Sequence, residues 1–84
     1  MYNVIVSKQA EKMLDKLPDE YYKSISKHLL SLEQNPRPLG CIKLVGSDNA
    51  YRIRVGVYRI IYSIQDDILV VEVIKIDHRS NVYR

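Results

Sequence analysis

Residues 51–64, YRIRVGVYRIIYSI, alternate apolar and polar side chains on both sides of a Gly-Val pair. Successive side chains of a strand point to opposite faces, so this period of two specifies a β-hairpin with one face turned to a core. Gly56 at the first position of a two-residue turn suits type II′ geometry, which pairs Val55 with Tyr58 and Arg54 with Arg59. The register then assigns the faces. Tyr51, Ile53, Val55, Tyr58, Ile60, Tyr62 and Ile64 share the core side, and Arg52, Arg54, Arg59, Ile61 and Ser63 share the other.

The remaining segments supply what that hairpin packs against. Residues 2–6, YNVIV, are short and β-branched, and Ser7 stands at an N-cap position ahead of Ala10, Met13, Leu14 and Leu17 at helical spacing. Pro18 interrupts, and Asp19 and Glu20 favour the start of a second helix, because carboxylates are stabilised near its positive end. Tyr22, Ile25, Leu29 and Leu32 form its apolar stripe, and Asn35-Pro36 stops it. Helices are therefore expected over 8–17 and 19–34. From Ile42 onward IKLV, YRIRV, YRIIYSI and ILVVEVIKI read as strands separated by turn residues. The order β-α-α-β-β-β-β defines an α+β fold: an N-terminal strand, an αα-hairpin on one sheet face, then an antiparallel four-strand meander. A chain of 84 residues supports one core, so residues 1–84 are expected to form a single domain.

The arginines need a separate explanation. Like charges directly opposed on neighbouring strands cost about 0.2–1 kcal/mol, so folding gains nothing from Arg54 beside Arg59. Residues 1–36 carry five charges of each sign, whereas residues 37–63 carry Arg37, Lys43, Arg52, Arg54 and Arg59 against the single acid Asp48. The net charge of +3 is thus concentrated in the half that forms the sheet, which suits a polyanion such as nucleic acid. The competing explanation is local neutralisation by Glu72 on the adjoining strand or by Asp48.

The closing residues KIDHRSNVYR add His78, Arg79 and Tyr83, which are expected to rim the same face. Histidine is the side chain that gains and loses a proton near neutral pH, and tyrosine is a weaker acid whose phenolate cations stabilise. His28, in the second helix, reads as structural. One cysteine and two separated histidines make no metal-ligand cluster, and Gly40, Gly46 and Gly56 are too dispersed for a phosphate loop, so no cofactor is expected. The lone Cys41 fits a reducing, cytoplasmic setting. No leader pattern or apolar run of about 18 residues marks export or a membrane.

AEKMLDKLP, NPRPLGCIKLVG, YRIRVGVYRIIYSI and HRSNVY, in that order, resemble the RelE/ParE superfamily of toxin–antitoxin toxins, and most closely its RelE-type messenger-RNA endonucleases. The resemblance implies a cytoplasmic type II toxin that inhibits translation. It also implies metal-independent cleavage of mRNA in the ribosomal A site and a hetero-oligomer with a RelB-like antitoxin. Residue by residue it implies that Arg52 and Arg54 bind the RNA backbone, that Arg59 lies near the scissile phosphate and that Arg79 matches the arginine of the family's carboxyl-terminal segment, expected to stabilise the transition state with Arg59; Lys43, in the same basic stretch, is expected to bind RNA as well. Tyr83 matches the terminal tyrosine of the family, and His78 stands where many relatives carry histidine or lysine; either is a candidate acid or base. A ParE-like gyrase inhibitor and a noncatalytic antitoxin- or nucleic-acid-binding module share the scaffold and remain the alternatives.

Overall fold

The computed structural model describes residues 1–78. The elements follow in the order β1 (Asn3–Val6), α1 (Lys8–Asp15), α2 (Asp19–Ser31), β2 (Ile42–Lys43), β3 (Ala50–Val55), β4 (Tyr58–Gln65) and β5 (Val70–His78). They form one five-stranded sheet in the order β1-β5-β4-β3-β2. Strands β2 to β5 are the expected antiparallel meander, and β1 joins the outer side of β5 in parallel. Both helices end earlier than their apolar patterns suggest, at Asp15 and Ser31. The two edge strands are the shortest in the sheet, which limits the backbone offered for unwanted pairing.

The core lies between the helices and one face of the sheet. Ala10, Leu14 and Leu17 from the first helical segment and Ile25, Leu29 and Leu32 from the second meet Ile53, Val55, Tyr58, Ile60, Tyr62, Ile64, Val71, Val73 and Ile76. Tyr22, expected in the α2 stripe, is exposed instead, and Tyr21 packs edge-on against Tyr58 at 5.0 Å between ring centroids. Tyr21, Ile25 and Leu29 recur every four residues, so they stack along one line of the helix, and that line carries the contact. Gly56 opens the β3–β4 turn with φ +61°, where a Cβ would also meet the Tyr21 ring at 3.3 Å. The turn residue therefore serves both the hairpin and its approach to α2.

Strand β5 contains a bulge that governs the other face. Ile61 pairs with Lys75 but Tyr62 pairs with Val73, leaving Ile74 as the extra residue. Strict alternation from Val71 and Val73 would carry Lys75 and Asp77 to the helix side; the inserted residue reverses this and buries Ile76. Ser7 secures the irregularity. Its backbone N–H donates to the Val73 carbonyl, its hydroxyl donates to the Ile74 carbonyl at 2.9 Å, and its oxygen accepts from the Ala10 N–H at the start of α1. Replacing Ser7 with alanine removes the helix cap, about 0.5–2 kcal/mol, and one further hydrogen bond, about 0.5–1.5 kcal/mol. A urea midpoint lowered to match about 1–3.5 kcal/mol is the expected outcome, and an unchanged midpoint would show that Ser7 holds neither element.

Candidate nucleic-acid interface

The hairpin register is the one its sequence specifies: Arg54 pairs with Arg59, Val55 with Tyr58 and Arg52 with Ile61. Arg52, Arg54 and Arg59 therefore share the face turned away from the helices. Their environments differ. Arg54 is exposed, Arg52 is half-buried, and Arg59 is only 4 % exposed. Arg59 sits on β4, the central strand, with Arg54 across from it on one side and Asp77 on the other.

That arrangement answers the question of local neutralisation. Glu72, on β5, pairs with Ser63 and lies further along the sheet, away from the arginine pair. The acid placed beside Arg59 is Asp77, which the β5 bulge turns toward this face and which also forms an ion pair with Lys75 at 3.0 Å. Lys75 stands across from Ile61, so among the described residues the face carries cations on β3, β4 and β5, with Asp77 beside Arg59 and Glu72 farther along β5. Among the described residues of this face, the cations Arg52, Arg54, Arg59 and Lys75 outnumber the carboxylates Glu72 and Asp77.

Two expected members of the site lie elsewhere. Lys43 pairs with Tyr51, a side chain of the helix side, so the register of β2 turns Lys43 away from the arginines. His78 pairs with Tyr58 and packs edge-on against its ring at 5.5 Å, also on the helix side. The expectation that His78 rims the arginine face fails because the Ile74 bulge changes the parity of every later residue in β5. Arg79 and Tyr83 lie outside the described residues. Among the described residues, no group of three or more His, Cys, Asp or Glu side chains is placed to hold a metal ion.

Arg37, the first cation of the basic segment, has a structural task. Its guanidinium spans both oxygens of Asp66, at 3.2 and 2.8 Å, donates to the Tyr51 hydroxyl at 3.2 Å, and lies over the Tyr51 ring. Tyr2 donates to the same carboxylate at 2.6 Å. The group ties the N-terminus, the loop after α2, β3 and the β4–β5 turn together. Hydrogen bonds from Arg37 and then Tyr2 hold the Asp66 carboxyl at about 2, below its ordinary value of 3.8. In that interval the unfolded chain binds the extra proton, so stability rises with pH and is lost as the pH falls from about 4 through about 2. Asp66→Asn is expected to flatten acid unfolding in this window; an unchanged acid limb would contradict the role given to Asp66.

A small α+β domain with a cationic sheet face defines the class, and comparison with known proteins identifies the family. The profile of the family described as ParE toxin of type II toxin–antitoxin systems matches residues 4–83. A protein carrying the toxin name RelE1, from Methanocaldococcus jannaschii, is 31 % identical over 99 % of this chain and 96 % of its own length. The RelE–RelB complex of Pyrococcus horikoshii OT3 contains a chain of TM-score 0.85 and 35 % identity, covering 93 % of this chain and 94 % of that one. The isolated E. coli RelE toxin gives 0.81 and 30 %, over 99 % and 92 %. The chain belongs to the RelE/ParE superfamily of type II toxin–antitoxin toxins. Among the described residues, no helix is long and apolar enough to cross a membrane.

Proposed function

We propose that this toxin is a ribosome-dependent endoribonuclease that cuts mRNA in the A site and so stops translation. The observation that carries the reading is the direct pairing of Arg54 with Arg59 on the sheet face away from the helices, with Arg52 on the same side. A phosphodiester complements the positive charge that this pair and Arg52 concentrate on one face. The RelE names of the relatives support the nuclease branch.

The chemistry follows from RNA itself. The 2′-oxygen attacks the adjacent phosphorus, the bond to the 5′-oxygen breaks, and the products are a 2′,3′-cyclic phosphate and a 5′-hydroxyl. The attacking hydroxyl must lose a proton, the leaving oxygen must gain one, and the crowded phosphoryl oxygens need positive charge. Arg59 and Arg79 supply that charge, and Arg52 and Arg54 hold the backbone. Arginine stays protonated in proteins and is a poor general base. With His78 turned to Tyr58, proton transfer is assigned to Tyr83. No metal is needed in this scheme. Ribosomal positioning of the message substitutes for a second matched proton carrier, since orientation alone contributes about 7–11 kcal/mol in favourable systems.

A RelB-like antitoxin is the proposed partner in a hetero-oligomer, supported by the Pyrococcus and E. coli structures of RelE with RelB. The family profile also bears the ParE name, which favours gyrase inhibition as the second reading. Mapping cut ends on a message translated in a purified system separates them. Cuts in the A-site codon support the nuclease; intact message together with blocked DNA supercoiling by gyrase supports the other branch.

A further inference from the structure

The ladder between β2 and β3 stops early and leaves a gap beside the arginine face. Ile42 pairs with Arg52 and Lys43 with Tyr51, and the Leu44 N–H donates to the Ala50 carbonyl. Ala50 and Arg52 therefore direct their backbone groups toward β2, and alternation directs those of Arg54 the same way. Continuing the register would set Gly40 opposite Arg54. The chain instead leaves the ladder there: Gly40 has φ +92°, and the Cys41 N–H donates to the Pro38 carbonyl in a turn. Among the described residues, no strand continues beside β3 past Arg52.

The gap is a cavity of about 200 Å³ lined by His28, Pro38, Leu39, Gly40, Ile53 and Arg54. Pro38 and Leu39 give it apolar surface, and Leu39 is fully exposed. The His28 ring nitrogen Nδ1 lies 2.8 Å from the Ser24 carbonyl, so Nδ1–H donates, and in that tautomer Nε2 carries the acceptor lone pair. The cavity is thus bordered by Arg54, whose backbone N–H and C=O the strand alternation directs toward this edge, by the His28 imidazole and by apolar walls. It is below the ~300–1,000 Å³ of sites for drug-sized ligands, a scale suited to one heterocycle. A peptide strand fits less well, because the open edge between Arg52 and the turn at Gly56 offers the backbone groups of Arg54 alone.

We infer that this cavity takes a nucleobase of the RNA strand whose phosphates lie on the arginine face. The inference rests on the reading of that face as the RNA site. Adenine and cytosine match best: a ring nitrogen accepts from the Arg54 N–H, and the neighbouring exocyclic amine donates to the Arg54 carbonyl and to His28 Nε2. Uracil has no amine for the imidazole and binds more weakly. Arg54 then has two roles, its guanidinium toward phosphate and its backbone toward the base beside it.

The test uses the purified chain and 2′-O-methyl trinucleotides, which cannot supply the attacking hydroxyl, with A, C or U at the centre. Backbone amide NMR shifts are expected to move at Gly40 and Arg54 as well as at Arg52 and Arg59. His28→Ala is expected to weaken the A and C ligands about 3- to 10-fold, the value of one hydrogen bond, and to erase their advantage over U. Leu39→Ser checks the apolar wall at a site where folding is not at stake and is expected to weaken all three ligands. Shifts confined to Arg52 and Arg59, no binding at all, or occupation of the cavity only by an extended peptide would each overturn the inference. Failure of the nuclease reading is registered separately, by intact message in the translation system.

Discussion

Arg59→Ala is expected to lower the rate of A-site cleavage about 10²–10³-fold, the effect of removing one preorganised donor from a developing oxyanion. Arg59 is held on the central strand, 4 % exposed, between Arg54 and Asp77, so in the proposed reaction its guanidinium would need little reorganisation as charge builds on the phosphate. Arg59→Lys keeps the charge and loses the planar fork, and is expected to recover only part of the rate. Arg54→Ala provides the contrast. In the proposed function that exposed side chain holds the RNA backbone, so its loss should weaken RNA affinity and reduce the dependence on salt by about one counterion. Because truncating a buried side chain also affects the fold, single-turnover cleavage is read beside urea unfolding of each variant. A folded Arg59→Ala protein that cuts at the parent rate would remove Arg59 from the chemistry.

The largest expected effect on stability is at Tyr62. This side chain is 0 % exposed, stacks on Tyr51 at 6.1 Å between centroids, and donates its hydroxyl to the Pro36 carbonyl at 2.7 Å. It joins the centre of the sheet to the loop that ends the helical half. Burial and its surroundings raise the phenol above its ordinary value, so it remains a neutral donor. Tyr62→Ala removes an aromatic ring from a packed core, at a cost of about 3–5 kcal/mol. Against the ~5–15 kcal/mol total of a small domain, this is a large share of the folding free energy. At ~4–8 °C per kcal/mol the melting temperature should fall by about 12–40 °C. Tyr62→Phe separates the ring from its hydrogen bond: leaving the Pro36 carbonyl without its donor is expected to cost about 1–3 kcal/mol. Equal melting temperatures for the parent and Tyr62→Phe would show that water satisfies this carbonyl.

The two proposed sites on β3 share a backbone but differ in how legible they were. The arginine face follows from alternation across a two-residue turn, a local rule that needs no knowledge of the rest of the chain. The cavity beside it gave no such signal. His28 and Arg54 are 26 positions apart and line one cavity only through tertiary packing, so in the sequence His28 reads as an ordinary helix-surface residue. The positive φ of Gly40 is compatible with the sequence NPRPLG, but the register that sets Gly40 opposite Arg54 is not contained in that stretch.

Local chemistry in the sequence thus determined the two helices, the strands, the hairpin register, the core face from Tyr51 to Ile64 and the common side of Arg52, Arg54 and Arg59. These depend on neighbours within a few residues: helical spacing, strand alternation and turn geometry. Tertiary structure alone decided the parallel docking of β1 on β5, the Ile74 bulge, the placement of Asp77 beside Arg59, the turning of His78 toward Tyr58 and the capture of Arg37 by Asp66. Each is settled by contact between segments far apart in the chain. A one-residue offset in such pairing reverses the faces of every later side chain while leaving the local pattern unchanged.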